Sequence, residues 1–107
     1  MNYENYCKVL EQIELHPEQW KQISWHCGGA HCFAGWAEVL GYGTESADRE
    51  DVARRACHWL EITPDIAANR RAWRVPYTHW LYAGSRTLDD FRRVRAVLGW
   101  AHLAASR

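Results

Sequence analysis

The sequence predicts an all-α fold: a compact single-domain bundle of about five short helices, residues 1–107, with one irregular Trp/Cys/His-rich loop. Three observations predict it. Apolar residues recur at three- and four-residue spacing through most of the chain, as amphipathic helices require. No stretch alternates apolar and polar residues for long enough to build a sheet. Helix punctuation falls where the periodic segments begin and end.

The first helix carries Tyr3, Tyr6, Leu10 and Ile13 on one face, with Cys7 alongside. Asn2 is placed to cap it. His16-Pro17 ends it, because the residue before Pro avoids the α region. Residues 18–31 are irregular, with a short extended piece over 22–25 and a turn at Gly28-Gly29. A second helix is expected over 32–40, stopped by Gly41 and Gly43. Ser46 or Asp48 caps a third, which runs to Leu60 and turns Val52, Ala53, Ala56, Trp59 and Leu60 inward. Cys7 and Cys57 fall on the apolar faces of their helices and read as core.

Thr63-Pro64-Asp65 opens a fourth helix, with a capping Thr, Pro at the first helical position and an acid in the first turn. It carries Ile66, Ala67, Arg70 and Trp73 and ends before Pro76. A short helical turn is expected over 77–82. Thr87-Leu88-Asp89-Asp90 opens the last helix with a capping box in which Asp replaces Glu. Leu88, Phe91, Val94, Leu98, Ala101 and Ala105 then trace one face.

Composition narrows the function classes. Nearly half of the residues are hydrophobic (48%), which excludes disorder as a global description. The net charge is zero, yet residues 1–48 carry −5 and residues 49–107 carry +5. A GC-rich genome is the plainest account of such an Arg excess, and an anion- or nucleic-acid-binding surface the sharper one. The N-terminus lacks the apolar core of a signal peptide, and no run reaches the roughly 18 apolar residues of a membrane span. Four cysteines without a signal point to reduced thiols and a cytoplasmic protein.

The run Cys27-Gly-Gly-Ala-His-Cys-Phe-Ala-Gly-Trp-Ala, preceded by Trp25-His26, concentrates two thiols and two imidazoles within seven residues. Three chemistries compete. Cys27 and Cys32 could form half of a zinc site, with His26 or His31 contributing and Cys57 or His58 completing it. Cys32 at a helix start is the one candidate nucleophile, its thiol favoured by the helix dipole and His26, His31, His58 or His79 as base. A Cys27–Cys32 disulfide is sterically allowed but disfavoured in a reducing compartment. Against all three stands packing, in which free Cys behaves as a small hydrophobe. No second ligand pair and no orienting group can be assembled by spacing. No residue is therefore assigned as a catalytic group or metal ligand, and zinc is the only cofactor the residue types admit.

The order Cys27-Gly28, Cys32, Ala34-Gly35-Trp36-Ala37, followed by Trp59-Leu-Glu-Ile-Thr-Pro, Trp80-Leu-Tyr and Arg86-Thr-Leu-Asp-Asp-Phe, resembles a group of small bacterial, especially actinobacterial, and phage proteins of unknown function. The chain departs from that pattern at Gly29 and at Trp80-Leu81-Tyr82, and the stretch over 75–79 looks like an insertion. The resemblance implies a phage or mobile-element accessory protein, and brings no activity or site residues.

The second constellation is Arg54-Arg55, Arg70-Arg71, Trp73-Arg74, Arg86 and Arg92-Arg93-x-Arg95, of which Arg92 and Arg93 fall on the solvated side of the last helix. The expected anchors are Trp73, Trp80 and Tyr82, flanked by Arg70, Arg71 and Arg74. Tryptophan and arginine are the side chains that most often anchor macromolecular interfaces, and together they also suit single-stranded nucleic acid. The expected function is therefore binding of another macromolecule, a protein first and nucleic acid second, with no membrane partner. An inhibitor of a host defence complex fits the size. A zinc-stabilised module is the second expectation and a cysteine-dependent enzyme the third.

Overall fold

The computed structural model describes residues 2–22, 26, 28–61 and 87–105. Among these, four α-helices and one 3-10 turn form the protein: α1 (Tyr3–Leu15), the turn Pro17–Gln19, α2 (Phe33–Tyr42), α3 (Arg49–Trp59) and α4 (Leu88–Ala105). Among the described residues the architecture is mostly helical with no strand, which agrees with the expected class. The helix expected from Thr63 and the turn over 77–82 lie outside the described residues.

Each terminus has a local cause. The Asn2 side chain accepts from Asn5 N at 3.0 Å and opens α1, and the helix ends at Leu15, before His16-Pro17. Asp48, rather than Ser46, caps α3 by accepting from Glu50 N at 2.7 Å. The box at α4 closes in both directions: Asp90 Oδ2 accepts from Thr87 N (2.8 Å) and Thr87 Oγ1 accepts from Asp90 N (3.3 Å). Cys32 sits at the N-cap of α2, its Sγ accepting from Gly35 N at 3.4 Å.

Gly41 does not stop α2. The helix continues to Tyr42 and is closed by Gly43 in the left-handed region, φ +67°. Gly41 instead makes room for Trp59 of α3, whose indole fills the space a side chain at position 41 would need.

The core draws on all four helices, with an aromatic centre supplied by α1, α2 and α4. Phe33 of α2 stacks on Phe91 of α4 at 4.5 Å and 10°, and meets Tyr6 of α1 at 4.8 Å. The Tyr6 hydroxyl donates to the Phe91 carbonyl at 2.8 Å, so a buried phenol keeps its hydrogen bond. Val9, Leu10, Ile13, Ala34, Ala37, Val52, Ala56, Leu60 and Val94 fill the space around these rings. Cys7 and Cys57 are half-buried rather than core. The start of α1 also receives the end of α3. Leu60 O accepts from Asn2 N, and Trp59 O accepts from Asn5 Nδ2, which satisfies carbonyls that a helix end leaves open.

The loop before α2 is pinned by main-chain bonds. Trp20 and His31 form a parallel bridge, with Lys21 N donating to His31 O (3.0 Å) and His31 N to Gln19 O (2.9 Å). Buried Gln22 accepts from Phe33 N at 3.1 Å and from Trp20 Nε1 at 3.0 Å. These bonds hold His31 at the start of α2. Gly28 (φ +54°) and Gly29 (φ +87°) supply the left-handed turn that leads back toward it.

The face expected on α4 is only half used. Phe91 and Val94 are buried and Leu88 and Leu98 pack at the edge of the core, but Ala101 and Ala105 are exposed.

Candidate functional site

Two features stand apart from ordinary packing: a polar corner in front of α2 and an apolar outer side on α4.

The corner is organised by Glu38. It is the one charged residue of α2, and it is fully buried. Its Oε1 accepts from Ser46 N at 2.7 Å and from His26 Nε2 at 2.8 Å. Its Oε2 accepts from Ser46 Oγ at 2.5 Å and from Arg55 Nη1 at 3.3 Å. Arg55 also donates to Thr44 Oγ1 and Ser46 Oγ, both at 3.0 Å. Burial pushes the Glu38 carboxyl up, but the hydrogen bonds from Ser46 and His26 outweigh it and hold it below the ordinary value. One carboxylate thereby joins the loop before α2, the loop after it and α3.

An ionised carboxylate only accepts, so His26 carries its proton on Nε2 and, when neutral, offers an acceptor lone pair at Nδ1. That Nδ1 lies 2.7 Å from His31 Nδ1. The two rings meet edge to face at 79°, and His31 stands against the Trp36 ring at 4.6 Å and 74°. The Trp36 indole N–H is itself fixed on Gln19 O at 3.0 Å. Glu45 brings its Oε1 to 3.6 Å from His31 Nδ1 and 3.8 Å from His26 Nδ1. Among the described residues, His26, His31 and Glu45 are the group whose ligand atoms converge, all within 4.8 Å.

The candidates named from sequence fare unevenly. His31 is in this group. Cys32, Cys57 and His58 are not in it. Cys32 is buried, and burial pushes its thiol up to about 11 against the backbone hydrogen bonds of Gly35 and Ala34. That is the opposite of the shift a nucleophile needs. Burial likewise pushes the Cys57 thiol up to about 11. His58 is exposed, with Tyr42 the ring beside it at 6.4 Å. Cys27, Arg70, Arg71, Trp73, Arg74, Trp80 and Tyr82 lie outside the described residues. Glu38 and Glu45 were not read as site residues. The available signal was Glu38 itself, a lone charge inside the apolar run Phe33–Tyr42.

On α4, Val97, Trp100 and Leu103 are 69%, 79% and 60% exposed. They share a helix side through i, i+3 and i+6 spacing, away from Phe91, Val94 and Leu98. A shallow groove of about 420 Å³ runs beside them, lined by Tyr3, Arg92, Arg95, Gly99, Trp100 and Leu103. Arg92 and Arg95, which line it, pair with Glu14 on α1 at 3.0 Å and 2.6 Å. From Phe91 to Ala105 the helix carries arginines and no acid.

Comparison of the chain with family models, curated proteins and solved structures gives no match. No helix among the described residues is long and apolar enough to cross a membrane.

Proposed function

We propose that the chain is a small cytoplasmic protein that works by binding a protein partner on the outer side of α4. The observation that carries this reading is the exposure of Trp100 together with Val97 and Leu103 on one helix side. A large indole left in water beside two aliphatic side chains forms a patch of the kind that marks interaction sites. Burying such a side chain contributes about 1.5–3 kcal/mol. Arg93, exposed on a helix that carries no acid from Phe91 to Ala105, favours a partner whose apolar segment is flanked by acids. On the resemblance to small actinobacterial and phage proteins, the chain is an accessory factor and the partner a component of a host complex.

The test is capture of partners from the native host by the untagged chain, with Trp100→Ala/Leu103→Ala as control, followed by titration of each purified partner. A protein retained by the parent and released by the double variant, with weak salt dependence, supports the reading. Capture of nucleic acid with a steep salt dependence would replace it.

A further inference from the structure

We propose that His26, His31 and Glu45 form the binding site of a single first-row divalent metal ion, zinc in the first instance. The ligand atoms are Nδ1 of both imidazoles and Oε1 of Glu45. This site is independent of the α4 side and of the cysteine pair read from sequence.

The distances carry the proposal. Around a tetrahedral ion with bonds of about 2.0–2.1 Å, neighbouring ligand atoms stand roughly 3.3 Å apart. Glu45 Oε1 already stands 3.6 and 3.8 Å from the two nitrogens, too far for a hydrogen bond to either. The two Nδ1 atoms at 2.7 Å need to open by only about 0.6 Å to reach that spacing. In the metal-free protein they share one proton. His26 Nδ1 accepts, because its Nε2–H is committed to Glu38, so His31 Nδ1–H is the donor. The ion takes the place of that proton but stands off the line between the two nitrogens, toward Glu45, as a tetrahedral angle requires, and the His31 proton moves to its Nε2.

The supporting residues are those a metal site requires. A metal-bound histidine usually donates its other ring N–H to a carboxylate, which fixes the ring and raises its basicity. Glu38 does this for His26 from a fully buried position held by Ser46 and Arg55. The His26 and His31 side chains are only 10% and 5% exposed, whereas Glu45 is 56% exposed. The rings are therefore pre-set, and the carboxylate closes from the solvent side, where an ion enters. Two imidazoles and one carboxylate suit zinc and neighbouring transition ions better than calcium or magnesium, which take oxygen donors. Three protein ligands leave a fourth position for water or a further group.

The experiment is calorimetric titration of the untagged full chain with zinc chloride, repeated for Glu45→Ala and His31→Asn. Cobalt(II) absorption serves as the second readout. One equivalent bound by the parent, with affinity falling at least about tenfold in Glu45→Ala, is the expected result. Glu45 lies on an exposed loop, so its variant tests the site even if His31→Asn fails to fold. Less than about 0.2 equivalents bound, or a loss under tenfold in Glu45→Ala, overturns the proposal.

Discussion

The Trp59 indole on α3 occupies the space a side chain at position 41 of α2 would need. A Cβ on Gly41 would lie 2.6 Å from Trp59 Cγ and 2.8 Å from Cδ2. Gly41→Ala gains about 1 kcal/mol of helix propensity and loses more, since overpacking costs about 1–3 kcal/mol. A net destabilisation is expected in urea unfolding. Gly99→Ala on α4 is the contrast, because its new Cβ would meet only the Tyr3 hydroxyl end at 3.3 Å. That variant should be neutral or slightly stabilised.

Among the described residues, the carboxyls of Glu14 and Glu38 are held low and tie the fold to pH. Arg95, and behind it Arg92, donates to Glu14 and holds its carboxyl below the ordinary value of 4.5. Glu38 is also held below 4.5, because its hydrogen bonds overcome its burial. Both groups therefore bind fewer protons folded than unfolded. The stability they contribute is full above the ordinary value and is lost as pH falls through the lower folded values. Urea midpoints measured from pH 7 downward should begin to drop near about pH 5. Glu38→Gln should lower the midpoint at pH 7 and flatten the drop.

Cys32 should be inert. With its thiol raised to about 11 and its side chain buried, alkylation at neutral pH should run at least about a hundredfold slower than for a free thiol. Peptide-resolved mass spectrometry reads this directly. Its structural task is the cap on Gly35 N. Cys32→Ser should keep the cap, and Cys32→Ala should cost about 1 kcal/mol.

The outer side of α4 should be dispensable for folding. Trp100→Ala/Leu103→Ala removes two exposed side chains and should change stability by less than about 0.5 kcal/mol. Phe91→Ala, one turn into the core face, should cost about 3–5 kcal/mol. Comparing the two by thermal unfolding separates the packing side of the helix from its interaction side.

Local signals in the sequence were readable because their causes are local. Asn2, Pro17 and the Thr87–Asp90 box act within a few residues of themselves, and all three mark helix ends as expected. Gly41 misled because its role depends on Trp59, 18 positions away in another helix. The periodicity of α4 runs on to Ala105, but periodicity does not say where the neighbouring helix ends. At the corner, His26 and His31 were legible as chemistry, while their partners were sought among thiols. Glu38 and Glu45 meet them only because the loops before and after α2 come together at one corner. A carboxylate in sequence looks like solvent-facing charge until such a fold is known.

The most direct measurement on the corner is imidazole nitrogen NMR of the ¹⁵N-labelled chain, metal-free and with one equivalent of zinc. Without metal, His26 should show the tautomer protonated on Nε2, and His31 the one protonated on Nδ1. With zinc, both Nδ1 resonances should move together to metal-bound positions. His26 and His31 spectra unchanged by zinc, or a shift at only one ring, would contradict the site.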